Sequence, residues 1–129
     1  MKKKKLSLKH QARKRLLRNL LSSLILFEKI VTREALAKAV KSEAEKLISK
    51  IKSSKNLADK AKLAQKYLYG GARQKLVDKG DSYESISFYR LNERKGDGAM
   101  RVLVQIEYKE TGAASKKEKE SETKDKGKK

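Results

Sequence analysis

Apolar residues recur along the first third of the chain at a helical period. Leu8, Ala12, Leu16, Leu20, Leu24 and Phe27 follow one another at steps of four, four, four, four and three, which predicts an amphipathic helix. Leu17, Leu21 and Ile25 widen the stripe in its second half, so this helix is expected to start exposed and end buried. Lys29-Ile30-Val31-Thr32 interrupts the pattern with β-branched residues, which favour a short strand. Thr32 is then expected to begin a second helix, with Glu34 placed early, where an anion meets the positive helix end. Leu36, Val40, Ala44, Leu47, Ile48 and Ile51 form its apolar face, and Lys38, Lys41, Lys46, Lys50 and Lys52 occupy polar positions. Ser53, Ser54 and Asn56 make a loop, Asn56 being able to cap the next element. Leu57, Ala61, Ala64 and Leu68 predict a third helix ending at Gly70-Gly71, which suit a left-handed C-terminal cap. A brief fourth helix spans Ala72 to Lys79 and stops at Gly80.

The period then changes. Tyr83, Ile86, Phe88, Tyr89 and Leu91 suggest a strand with imperfect alternation. Met100, Val102, Val104, Ile106 and Tyr108 alternate with Arg101, Gln105, Glu107 and Lys109, Leu103 being the exception. Gly96-Asp97-Gly98 lies in the connection, so the pair reads as an antiparallel hairpin. A lone hairpin is unstable in water, and the Ile30-Val31 strand is its natural third member. The expected fold is a two-layer α+β domain: helix, strand, three helices and β-hairpin around a small mixed three-stranded sheet. Residues 1–15 are read as a basic arm leading into the first helix, 16–110 as the single domain, and 111–129 as a charged, disordered tail.

Charge changes the picture from fold to partner. Residues 1–18 carry nine basic side chains and no acidic one, and the arm runs directly into the first helix. The formal net charge is +19; residues 1–18, 19–112 and 113–129 contribute +9, +7 and +3. The body is therefore basic even without its ends. Such one-signed charge suits a polyanion, because each phosphate neutralised releases condensed counterions. With 37% hydrophobic and 40% charged residues, the core is expected to be thin.

Catalytic chemistry is poorly supplied. The chain has no Cys and one His, so disulfides, thiolate metal sites and a nucleophilic triad are not expected. Asp78, Asp81 and Glu84 read as loop solvation rather than a metal site, and no cofactor or small-molecule substrate is expected. Lys2 to Lys5 and Leu20 to Phe27 imitate a secretion signal, but the apolar run is short and contains Ser22 and Ser23, so export is not expected. Tyr67, Tyr69, Tyr83, Phe88 and Tyr89 are candidates for core packing or for stacking on bases.

The segment Leu17-Arg18-Asn19-Leu20-Leu21-Ser22-Ser23-Leu24-Ile25 resembles the N-terminal signature of bacterial large-subunit ribosomal protein seventeen. Glu28-Lys29-Ile30-Val31-Thr32, Ala35, Ala37-Lys38-Ala39 and Ala44-Glu45-Lys46-Leu47-Ile48 extend the likeness. Tyr83, Ile86, Arg94-Lys95-Gly96-Asp97 and Met100 look like the family's C-terminal hairpin. The resemblance covers residues 12–108. The chain departs from the family pattern at Ala12, at Phe27 and at Asp81 to Ser85.

The resemblance implies a non-catalytic, structural constituent of the bacterial large ribosomal subunit, located on cytoplasmic ribosomes. Its implied partners are large-subunit rRNA and neighbouring ribosomal proteins near the peptide exit, with no membrane. Expected rRNA-binding residues in the arm and first helix are Lys2, Lys3, Lys4, Lys5, Lys9, His10, Arg13, Lys14, Arg15, Arg18 and Asn19. Arg33 and Lys38 would add contacts at the second helix, and Arg90, Arg94 and Lys95 at the hairpin. The alternative class is a DNA-binding, nucleoid-type helical module, and a third is a basic amphipathic module for a protein or membrane surface.

Overall fold

A computed structural model of the chain describes residues 5–109. Lys2, Lys3 and Lys4 and the tail expected at 111–129 lie outside the described residues. Within them the order is α1 (His10–Phe27), β1 (Lys29–Arg33), α2 (Glu34–Ser53), α3 (Leu57–Tyr67), α4 (Gly71–Lys79), a 3-10 turn (Gly80–Ser82), β2 (Tyr83–Glu93) and β3 (Met100–Tyr108). The α+β architecture read from the pattern is present. Because α1 begins at His10, residues 10–15 of the expected arm are already helical.

The sheet has strand order β1-β3-β2. It is antiparallel throughout rather than mixed, with Val31 opposite Leu103 and Phe88 opposite Val104. The reason is topological. The three-helix crossover brings β2 in along the same direction as β1, but the hairpin returns β3 between them, so each neighbouring pair is antiparallel. Val102, Val104 and Ile106 alternate inward and are buried, as their two-residue spacing requires. α2 lies against this inner face, and Val40, Leu47, Ile48 and Ile51 join Val102, Val104 and Tyr83 in one core cluster.

In α1 the buried positions are Leu21, Ser22, Leu24 and Ile25, with Leu17 and Leu20 partly buried beside them. The evenly spaced stripe does not bury as a unit: Leu8 is exposed and Phe27 is 69% exposed. Four residues advance an α-helix by about 40° more than a full turn, so a strict step of four spirals off the packed face. On α3, Leu57 at the first position is exposed, while Ala64 and, just past the helix end, Leu68 are buried.

Two chain reversals are built differently from the pattern-based expectation. The left-handed cap is Glu28, with φ 65° at the end of α1. Gly70 has φ 50° and ψ −139° and precedes α4, while Gly71 is that helix's first residue. The pair therefore starts a helix instead of ending one. Glu28 lacks the freedom of Gly, and a non-Gly residue in this region costs about 1–2 kcal/mol. Three contacts offset that cost. Its N–H donates to the Leu24 carbonyl at 2.8 Å, and its own carbonyl accepts from Ile106 N–H at 2.8 Å. Its carboxylate lies 2.7 Å from Lys75 Nζ.

The Lys75 ammonium, followed by the Tyr108 hydroxyl, holds the Glu28 carboxyl below the ordinary value of 4.5. A depressed folded value means the contribution is present at neutral pH and is lost as pH falls through that folded value. Glu28→Gln is expected to lower stability at neutral pH and to flatten the loss as pH falls below about 5; denaturant melts from neutral pH into the acid range measure it. Packing gives a second expectation. A Cβ at Gly80 would meet Ile51 Cγ2 at 2.8 Å, whereas one at Gly96 meets nothing within 4 Å. Gly80→Ala should destabilise by about 1–3 kcal/mol, and Gly96→Ala should not show this packing cost in the same chemical melts.

Candidate nucleic-acid interface

Two basic surfaces emerge. The first belongs to α1, which has no acidic residue in its first turn and no side-chain cap at its N-terminus. Lys9, His10, Lys14 and Arg15 are exposed, and Arg13 is half-buried, its Nη1 donating to the Lys5 carbonyl at 3.4 Å. A groove of about 310 Å³ runs beside them, lined by His10, Arg13, Lys14 and Leu17 of α1, by Glu43 of α2, and by Lys66 and Tyr67 of α3. The Lys66 ammonium stands 5.8 Å from the Tyr67 ring centroid, and Lys50 adds a second cation at 5.5 Å. None of Lys9, Arg13, Lys14 and Arg15 pairs with a carboxylate among the described residues. Asn19 is exposed on the same helix.

Arg18 is different from its neighbours. Its Nη2 donates to the carbonyls of Gln65 at 2.7 Å and Leu68 at 2.9 Å. Its guanidinium carbon sits 3.9 Å from the centroid of the Tyr69 ring, a cation–π arrangement. One turn later, Ser22 Oγ donates to the Arg18 carbonyl and accepts from Tyr69 N–H, both at 2.9 Å. Arg18 and Ser22 thus fasten α1 to the segment between α3 and α4. A sequence signal for this was available. Arg18 lies three, four and seven residues before Leu21, Ser22 and Ile25, which places it beside the packed face.

The second surface is at the hairpin end of the sheet. Arg33, Arg94 and Arg101 line a hollow of about 250 Å³ with Val31, Thr32 and Ala99. Lys95 is exposed at the loop tip. Arg94 forms an ion pair with Asp97, and the Asp97 carboxylate also accepts from Ala99 N–H at 3.2 Å. Arg94, then this N–H, hold the Asp97 carboxyl well below the usual carboxylate range. The second-helix candidate Lys38 and the hairpin candidate Arg90 share one acid. Glu34 Oε1 lies 2.5 Å from Lys38 Nζ and 3.0 Å from Arg90 Nη2, and Lys38, then Arg90, lower the Glu34 carboxyl. The candidates therefore divide. Arg18, Lys38, Arg90 and Arg94 have partners within the protein, whereas Lys9, Lys14, Arg15, Arg33 and Lys95 have no such carboxylate partner among the described residues. Arg101 and Lys66 were absent from the sequence-based set.

Among the described residues no group of His, Asp or Glu could hold a metal ion. No helix among them is long and apolar enough to cross a membrane.

A profile described as ribosomal protein L17 matches residues 16–107. The chain belongs to the ribosomal protein L17 family. One relative is the large ribosomal subunit protein bL17 of Carboxydothermus hydrogenoformans, 36% identical over 109 residues, covering 79% of this chain and 96% of that protein. The bL17 of Staphylococcus epidermidis is 32% identical over 120 residues, covering 80% and 97%. The bL17 of Staphylococcus aureus is 31% identical over 120 residues, with the same coverage of 80% and 97%. The family match includes both halves of the framework just described: the Arg18–Ser22 attachment and the three-stranded sheet.

Arg18→Ala should cost about 2 kcal/mol of stability through loss of hydrogen bonds made by a charged donor. Arg18→Lys should restore only part of it, because one ammonium lacks the planar fork of a guanidinium. Thermal melts of the free protein test this, and a wild-type melting temperature for Arg18→Ala would remove Arg18 from the framework.

Proposed function

We propose that this protein is a structural constituent of the large ribosomal subunit, holding folded rRNA through α1 and through the hairpin end of its sheet. The observation that carries the reading is the row Lys9, Arg13, Lys14 and Arg15. These cations stand on a rigid helix with no acid in its first turn. The positive end of the helix dipole adds to their field. A phosphate backbone supplies the charge that this surface lacks, and counterion release drives the contact. Lys5 and His10 extend the same surface, Lys2, Lys3 and Lys4 are further candidates outside the described residues, and Asn19 adds a neutral hydrogen-bonding group.

On this reading the protein performs no catalysis and needs no cofactor. It works on cytoplasmic ribosomes, and its partners are rRNA and adjacent ribosomal proteins on the side of the peptide exit. Recognition is of shape and backbone, because an A-form RNA helix buries its base edges in a deep, narrow groove. Residues 16–110 serve as the rRNA-binding domain, with 1–15 as the basic approach and 111–129 as an accessory tail. Free of RNA, a chain of formal charge +19 repels itself, and binding relieves that repulsion.

Replacing Arg13, Lys14 and Arg15 together by Ala should weaken binding to large-subunit rRNA. It should also reduce the slope of log affinity against log salt by about 2. Filter binding across a salt series measures both quantities. An unchanged slope would exclude α1 from the interface.

A further inference from the structure

The arginine-lined hollow at the hairpin end contains an arrangement that a sheet normally avoids. Arg33 on β1 and Arg101 on β3 are direct partners in the antiparallel register. Both are exposed on the face turned away from α2. Directly opposed residues hold their Cβ atoms about 4.5–5.5 Å apart, and like charges in that position repel. Among the described residues no carboxylate pairs with either side chain. Arg101 Nε donates to the Asn92 carbonyl at 3.2 Å, which fixes the guanidinium by one edge and leaves its terminal nitrogens for another acceptor. Arg94, on the same hollow, is held in place by Asp97.

We propose that Arg33 and Arg101 form a clamp for one backbone phosphate of rRNA, seated in this hollow, with Arg94, its charge already met by Asp97, forming part of the rim. The proposal rests on the rRNA reading above and adds a second anchor, independent of α1. The chemistry matches in three ways. A phosphate dianion or diester offers several acceptor oxygens to two guanidinium forks. It removes the like-charge repulsion across the strand pair. The hollow's 250 Å³ is several times the share of volume of one water, enough for a phosphate group with bridging water. The neighbouring sheet surface is open, with Val31 and Tyr89 both more than half exposed, so a large polyanion can approach.

The test uses the full chain and the double variant Arg33→Gln with Arg101→Gln, in three measurements. In rRNA binding the double variant should bind about tenfold more weakly at moderate salt, with a salt slope smaller by about 1, since one phosphate contact is lost. In low-salt melts of the free protein it should be at least as stable as wild type, since a repulsion has been removed. Inorganic phosphate should raise the Tm of wild type above that in chloride of equal ionic strength, and this increment should shrink in the double variant.

Unchanged RNA affinity and slope in the double variant, with wild type binding normally, would overturn the clamp and leave the rRNA reading standing. Failure of wild type itself to bind rRNA would overturn both, and the phosphate melts would then show separately whether the hollow takes phosphate. A clear fall in Tm of the double variant would assign the two arginines to the fold and overturn the proposal. Protection by poly-glutamate but not by phosphate would do the same, in favour of an acidic protein neighbour.

Discussion

The helical layer depends on one guanidinium. The α3 helix stops at Tyr67, and α4 does not begin until Gly71, so carbonyls at the end of α3 have no helical partner. Arg18 reaches across from α1 to the carbonyls of Gln65 and Leu68, and Arg73 Nε adds a donor to Leu68 at 3.0 Å. A cation at this position also meets the negative end of the α3 dipole. Ser22 completes the joint by accepting from Tyr69 N–H. With the segment from Leu68 to Gly70 pinned in this way, Leu68, Ala72 and Leu76 can all bury in the same core as Leu21 and Ile25. A joint of this kind suits a basic protein with few apolar residues, because it draws its donors from the side chains the chain has most of.

The same economy governs the acids. The chain has 16 Asp and Glu against 35 Lys and Arg, and several acids do specific structural tasks. Glu28 with Lys75 secures the left-handed end of α1. Asp81 meets Lys60 at 2.5 Å where the 3-10 turn passes α3. Glu34 gathers Lys38 and Arg90 between α2 and β2, and Asp97 holds Arg94 in the hairpin loop. Among the cations outside such pairs are the row on α1 and Arg33 and Arg101 at the hairpin-end hollow, and these are positions where an external polyanion completes the electrostatics. The protein therefore divides its positive charge into a part that holds the fold and a part left for a partner.

Much of the fold was legible because the hydrophobic period switches cleanly from helical to alternating near Tyr83. β3 was clearest, since Val102, Val104 and Ile106 sit at strict two-residue spacing. Leu103 broke that alternation for a reason that requires the sheet: it lies between Val31 and Tyr89 in a row across the outer face. The burial of α1 was less legible, because an even step of four looks like a stripe yet winds around the helix. Glu28 gave no hint of its φ of 65°, as its stabilising contacts come from Ile106 and Lys75, far along the chain. At the candidate interface, charge sign and the α1 location were readable. What each cation does was not. Arg18 was grouped with Arg13 and Arg15 although its seven-residue spacing from Ile25 marked it as inward. The Arg33–Arg101 pair carries no local signal, since only the β1–β3 register brings the two side chains together.

The measurement that tests the account most directly is sedimentation of a cell lysate through a sucrose gradient, first at moderate and then at high salt, following the protein by immunoblot. The account predicts co-migration with the large ribosomal subunit that survives the high-salt wash, as expected of a component held at two basic surfaces against folded RNA. Recovery at the top of the gradient, or in a DNA-bound fraction, at both salt concentrations would contradict it.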